Sequence, residues 1–319
     1  MTLHRLPASD ATVRVGVIDR AFAPVLEIDD GDEVELETWG LWGNAVTPAT
    51  TFDDVLQLRR AHAGKGPHSL TGPIAVRGAT PQMLLRVDIV ALEPGPHGFN
   101  LTTPAPHSRG LLAPQFAHGE IRHYRLDTAR LCTEFLPGVT IALRPFLGIM
   151  GVAPAREGPH PSPVPDAFGG NIDCPDLVAG TTLFLPVWAD GALFYAGDAH
   201  AVQGCGEVNQ TALETTMKRA RLRFGLCRER RLERPHAITP DNLVTMGFHA
   251  DLREAAIQAV DDMVSWLSRE YRLTRADAYV LCSLQADLIV TQAVNGNNGV
   301  HARMARRLLA PLARDGGAA

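Results

Sequence analysis

The chain has almost no lysine. Only Lys65 and Lys218 occur among its 30 basic residues, and neither stands in the context that a nitrilase-like Cys–Glu–Lys set would need. Serine is scarce too, and none lies in a Gly-x-Ser-x-Gly elbow, so a serine hydrolase has no visible nucleophile. Five cysteines (Cys132, Cys174, Cys205, Cys227, Cys282) are scattered without a CxxC pair. That argues against a disulfide framework or a structural zinc cluster, and makes a reducing cytoplasm the expected compartment. Aromatic residues are only 6% of the chain, and the net charge of -5 leaves no footprint for nucleic acid or an anionic membrane. No apolar run reaches the roughly 18 residues of a membrane span, and MTLHRLPASD lacks the apolar core of a secretory signal.

What is present suits a large core. The 319 residues, 45% hydrophobic and 20% charged, can fold as two compact domains or one large β-rich one. Alternation predicts strands at 13–17, 33–38, 82–92, 120–126, 139–143 and 219–227, with a solvated acidic turn at 29–32. In the 219–227 strand Ala220, Leu222, Phe224 and Leu226 face inward. The arginines face out, and the run 228–234 continues that polarity as a solvated face or subunit contact. A short helix is expected at 52–63, and a long Pro-, Gly- and His-rich loop at 94–119. The period then changes. Leu252, Ala256, Val260, Met263 and Leu267 predict an amphipathic helix over 250–269. Thr274 and Asp277 open a second helix striped by Leu281, Leu284 and Leu288. The Asn-Gly run 295–299 breaks the chain, and 315–319 is expected to fray. The sum is a mainly β chain with an α+β C-terminal part.

Chemistry concentrates between Gly169 and Glu214. The clusters Gly169-Gly170-Asn171-Ile172-Asp173 and Gly197-Asp198-Ala199-His200 flank strand-like segments at 181–188 and 192–196, joined by Asp190-Gly191. Asp-Gly between apolar alternations predicts a hairpin that returns Asp198 and His200 to Asp173. Gln203 and Glu207 follow in a glycine-punctuated loop. Carboxylates and imidazole converging on loops at one end of a sheet can ligate a hard or borderline divalent metal.

The order of motifs resembles the acetamidase/formamidase family. The resemblance rests on 68–74 (HSLTGPI), 145–148 (PFLG), 151–154 (GVAP), 169–173 (GGNID), 180–187 (GTTLFLPV), 191–194 (GALF), 197–201 (GDAHA), 203–207 (QGCGE), 287–292 (DLIVTQ) and 299–301 (GVH). It spans nearly the whole chain and implies a jelly-roll-like β-sandwich with two C-terminal amphipathic helices that assembles into homo-oligomers. Residues 1–230 would form the sandwich core with the site. Residues 231–319 would be an α+β portion packed on it, or part of one intertwined domain. The implied activity is hydrolysis of a small linear amide, formamide- or acetamide-like, with a divalent metal as cofactor; zinc is expected, with calcium or another divalent ion also compatible. The resemblance assigns His68, Asp173 and His200 as metal ligands and Glu207 as the proton shuttle. Asp198 is a further catalytic residue, as a fourth ligand or the orienter of a histidine. Asn171, Gln203 and Cys205 would bind substrate or support the ligands. The family more usually has Asp at the position of Cys205. This departure leaves two alternatives open: a Cys205-dependent amidase, or a non-catalytic oligomer that binds metal or ligand on the same scaffold.

Overall fold

The computed structural model describes residues 1–228 and 233–312. It is a jelly-roll-like β-sandwich of two nine-stranded sheets. The first sheet runs in the order Leu3–Leu6, Glu33–Leu36, Met217–Cys227, Leu84–Pro94, Thr182–Pro186, His236–Ile238, Asn242–His249, Asn298–Ala305, Asp287–Gln292. Its last four strands come from the C-terminal part and extend the same sheet without a break. The second sheet holds Gly169–Asn171, Phe146–Gly151, Phe194–Val202, Leu213–Glu214, His97–Thr102 and Glu120–Arg125, with Ser69–Val76 also paired to Phe194–Val202. One continuous core joins the inner faces through Val87, Leu185, Leu222, Leu147 and Ile149. At its centre the Phe194 and Phe224 rings meet edge to face at 5.1 Å.

Every residue of Ser69–Val76 and Phe146–Gly151 is buried. Strands covered on both faces read as continuous apolar runs rather than alternations, so polar residues on or beside them are costly unless they have a task. Outside the sandwich, Asp251 caps the Leu252–Tyr271 helix by accepting from the Arg253 and Glu254 amides at 2.7 and 3.2 Å. The helix buries Ala255, Ala259, Met263, Trp266 and Leu267. It lies so close to the sheet that a Cβ on Gly247 would come within 2.0 Å of the Ala255 carbonyl oxygen. Thr274 caps the Arg275–Gln285 helix as expected, accepting from the Asp277 amide at 3.0 Å.

Several expectations need correction. The segments around Asp190-Gly191 are not a hairpin: Thr182–Pro186 pairs within the first sheet and Phe194–Val202 within the second. Gly191, Ala192 and Leu193 all have positive φ (76°, 60° and 57°), which turns the chain across the sandwich instead of back on itself. The 94–119 segment is not all loop, because His97–Thr102 pairs with Glu120–Arg125. In the first helix Met263 and Leu267 are buried and Ala256 and Val260 pack on the core as expected, but Leu252 is exposed and Ala255 and Ala259 are buried as well; in the second Leu281 packs on the core, Ala278 and Cys282 are buried, and Leu284 is exposed. Leu288 is exposed too, and belongs to the edge strand Asp287–Gln292. The arginines of Met217–Cys227 do face outward but are paired: Arg221 and Arg223 share Glu33. Residues 229–232 of the arginine run, and the 315–319 tail, lie outside the described residues.

The acidic turn is not simply solvated. Asp32 is buried and accepts from the Thr2 amide at 2.6 Å and meets His4 Nε2 at 2.9 Å, tying the first strand down. Burial alone would raise its carboxyl, but His4 and the Thr2 and Asp29 amides outweigh that and bring it to about 2. We expect Asp32→Ala to cost about 2 kcal/mol in urea unfolding, the scale of hydrogen bonds to a charged group.

Candidate active site

Three neighbouring strands of the second sheet assemble the site. Gly169–Asn171 pairs with Phe146–Gly151 (Ile149↔Asn171), which pairs with Phe194–Val202 (Phe146↔His200). Asp173, just past the first strand, is thereby carried beside Asp198 and His200 on the third. The expected convergence is present, produced by this ladder and not by a hairpin. On the other edge of Phe194–Val202, Glu214 stands opposite His200.

The contacts are close. His200 Nε2 lies 3.3 Å from Asp198 Oδ2 and 3.4 Å from Glu214 Oε2, and its Nδ1 is 3.9 Å from Asp173 Oδ1. His68 Nε2 is 3.8 Å from Asp198 Oδ2, while its Nδ1 is held by Ser162 Oγ at 2.7 Å. The Asn295 amide donates to Asp173 Oδ2 at 2.7 Å and to Glu207 Oε2 at 3.1 Å. Gln292 Oε1 accepts from the Val294 and Asn295 backbone amides at 3.0 and 3.1 Å and so shapes the turn that presents Asn295. His68, Asn171, Asp198, Glu207, Glu214 and Asn295 all line one cavity of about 570 Å³.

Two of the expected residues sit elsewhere. Gln203 donates to the Asp173 carbonyl at 3.0 Å and so steadies that residue from behind. Gln203 and Cys205 line a second groove, on which Glu207 also opens. Burial raises the Cys205 thiol above its usual range. Glu214 and Asn295 were missed: Glu214 has no motif around it, and the run containing Asn295 reads as a chain break.

Backbone geometry marks the same residues. Asp173, Asp198 and Glu207 have φ of 50°, 53° and 46°. Non-glycine residues held there cost of order 1 kcal/mol or more each, and such strain collects at functional sites. Gly148 forms the floor. A Cβ there would lie 2.6 Å from Asp173 Oδ1, 2.7 Å from Asp198 Oδ2 and 2.7 Å from His200 Cε1.

Electrostatically the cluster holds too much negative charge for a dry place. Burial first, then the neighbouring carboxylates of Glu207 and Asp198, push Asp173 well above the usual carboxylate range. Burial likewise lifts Glu207 to about 8. Burial would raise Asp198 as well, but the His68 and His200 imidazoles hold it at about 2. Burial would lower His200, yet Glu214 and Asp198 beside it raise it well above an ordinary imidazole. His68, where burial dominates, is lowered. Asp173 Oδ1, both His200 ring nitrogens and Asn171 Oδ1 are buried without a hydrogen-bond partner. Polar atoms left unpaired at such depth call for a ligand.

The residues fit a divalent cation. Among the described residues, Asp173–His200–Glu207 and Asp198–His200–Glu214 each bring three ligand atoms within 4.8 Å of one another. A third trio, Cys174–Asp176–His301, lies next in sequence to Asp173. There burial lowers His301, but Cys174 and Asp176 outweigh it and raise the imidazole to about 9, while His301 helps hold Asp176 at about 2.

Fold and site together define a class: a jelly-roll-like β-sandwich with a buried carboxylate–imidazole cluster at the floor of a cavity. The Acetamidase/Formamidase family profile matches residues 19–162 and 161–302, and the chain belongs to that family. It is similar to an acetamidase from Bacillus halodurans, with 26% identity and a TM-score of 0.87 over 97% of this chain and 99% of that one. An acetamidase from Yersinia enterocolitica gives 27% identity and a TM-score of 0.86 over 98% and 93% of the two chains. The acetamidase of Mycolicibacterium smegmatis is 27% identical over 201 residues, 44% of this chain and 49% of that protein. The chain spans about half the length of the curated relatives it matches.

Two outcomes follow from this geometry. If the cluster holds a cation, Gly148→Ala should weaken its affinity by about tenfold or more, measured by chelator competition, because its methyl group enters the space between Asp173, Asp198 and His200. The metal-free protein should lose stability as pH rises from 4.5, the usual value for Glu207, to about 8. Across that window the folded state holds a proton that the unfolded chain has released, and raised Asp173 acts in the same sense. Glu207→Gln should flatten this slope in denaturant titrations.

Proposed function

We propose that the chain hydrolyses a small linear amide to its carboxylate and ammonia at this site, with a divalent metal as cofactor. The observation that carries the reading is the excess of buried carboxylate around His200, with ligand atoms left unpaired. His68, Asp173 and His200 would hold the ion, with Asp198 as a further ligand or as orienter of the histidines. Imidazole with carboxylate suits zinc, and a carboxylate-rich set also accepts harder cations such as calcium. Such an ion, when bound, supplies an activated water and polarises the amide carbonyl.

The protein's own groups do the rest. Asn171 Oδ1, buried and unpartnered at the cavity wall, accepts from the substrate N–H and orients the amide. Asn295 fixes Glu207 Oε2 and leaves Oε1 to carry a proton. Glu207 takes the proton of the attacking water on Oε1 and passes it to the departing nitrogen. Cys205 opens on the other groove and its thiol is raised, so this placement favours Glu207 over a cysteine nucleophile. Self-association is supported by exposed Ile257, Tyr279, Val280, Leu284 and Leu288 beside the edge strand Asp287–Gln292. Among the described residues no helix is long and apolar enough to cross a membrane.

Ammonia release from formamide, acetamide and propionamide tests the activity. Complete metal removal should abolish it and re-addition restore it; turnover that survives full chelation would overturn the mechanism. Glu207→Gln should lower kcat by about 10²–10⁴-fold, with circular dichroism unchanged. Light scattering should find wild type as an oligomer and Tyr279→Glu/Leu284→Glu shifted toward monomer; a monomeric wild type would refute the interface.

A further inference from the structure

The cavity has a second chemical character. Above the carboxylate floor its wall is cationic: Arg59 from the Phe52–Ala61 helix, Lys65 from the turn that follows, and Arg109 from the loop preceding Ala113–Gln115. Many arginines of this protein meet acids, as Arg221 and Arg223 do at Glu33, Arg234 at Asp262 and Arg303 at Asp287, while others such as Arg14, Arg20 and Arg306 donate to backbone carbonyls away from the cavity. Among the described residues, Arg59, Lys65 and Arg109 form no such ion pair.

Arg59 is the most telling of the three. It is largely withdrawn from water, its Nη1 donates to the His107 carbonyl at 2.7 Å, and its guanidinium lies 6.0 Å from the centre of the Trp42 ring. Its Nε is buried with no partner. Burial alone depresses its pKa, with no anion acting against that. A guanidinium held in place by one carbonyl and one ring, with an N–H unspent, is preorganised to take an anion; its planar fork matches a carboxylate.

The wall is also near the floor. The Arg109 Nη1 packs against Gly296, close enough that a Cβ there would be 2.7 Å away. Gly296 follows Asn295, whose amide touches both Asp173 and Glu207. A ligand reaching from Glu207 to Arg109 therefore needs only a short chain, and Arg59 lines the same cavity. The volume agrees: about 570 Å³ falls in the range of sites that enclose drug-sized ligands, and a two-carbon amide would leave most of it unfilled.

We propose that the substrate is a linear amide bearing a carboxylate at its far end, a dicarboxylic acid monoamide such as succinamate. The amide would lie on the acid floor and the carboxylate on Arg59 and Arg109, with Lys65 adding long-range attraction. This rests on the amide-hydrolase reading and narrows its substrate class. The bond broken is still the amide C–N bond; water supplies the hydroxyl to carbon and a proton to nitrogen, and the new carboxyl gives up its proton to the ammonia, so the products are the dicarboxylate and ammonium.

The test compares succinamate with butyramide, which has the same chain length and no charge, on the metal-loaded full chain. Wild type should favour succinamate in kcat/KM by about tenfold or more, and added salt should erode that preference. In Arg59→Gln and in Arg109→Gln the ratio of the two efficiencies should fall by about 10- to 100-fold, the scale of a charged hydrogen bond. Arg59→Lys should restore part of it. Equal efficiency in wild type, or a ratio that both glutamine variants leave intact, overturns the subsite while the amidase reading stands. If no amide releases ammonia, the amidase reading fails and calorimetric titration with succinamate decides the subsite. Binding that weakens in Arg59→Gln supports it, and no binding overturns it.

Discussion

Everything in this protein's site turns on crowding negative charge around one buried imidazole. Asp198 from its own strand, Glu214 from the neighbouring one and Asp173 from the segment after Gly169–Asn171 approach His200, with Glu207 adjacent through Asn295. In water these groups would repel only weakly, but removed from it each charge interacts strongly with its neighbours. The protein must therefore hold protons or a cation there. Glu207, lifted to about 8, is the proton-holding form of that constraint, and a bound divalent ion is the form the ligand geometry suits.

The sandwich supports this arrangement by making the site hard to relax. Positive φ at Asp173, Asp198 and Glu207 places strain in the carboxylate carriers themselves. Buried strands and the Gly148 floor leave no room for the side chains to swing apart. The second layer is equally specific: Ser162 holds His68, Gln203 holds the Asp173 backbone, and Gln292 shapes the turn bearing Asn295. That turn lies between two strands of the first sheet, so both sheets contribute to one cavity. A site of this kind depends on the whole sandwich being closed.

Much of the pattern was legible along the chain. The clusters around Asp173 and around Asp198 and His200, and the loop with Glu207, are rich in glycine and acid amid apolar runs; Asp198 and Glu207 line the cavity, and Asp173 lies buried behind it. The hairpin that was to unite them is absent, because an Asp-Gly turn reports local reversal but not which sheet receives the next strand. Glu214 carries no local signal, since its role comes from standing across a ladder from His200. Asn295 sits in a stretch whose composition speaks only of turns. The stripe of the long helix holds from Ala256 to Leu267 but is wider than expected, because packing depth as well as hydrophobicity decides the buried face: Ala255 and Ala259 lie where the helix nearly touches Gly247.

By itself the sequence determined the β-rich class, the two capped C-terminal helices and the kinds of side chain available for chemistry, because periodicity, capping and composition act over a few residues. Only the tertiary structure decided which of those side chains meet. Strand pairing brings Gly148, Asp173, Asp198, His200 and Glu214 together across 67 residues of chain, and carries Asn295 in from the other sheet. Strand order is a property of the closed sandwich, set by long-range burial, and no short window of sequence contains it.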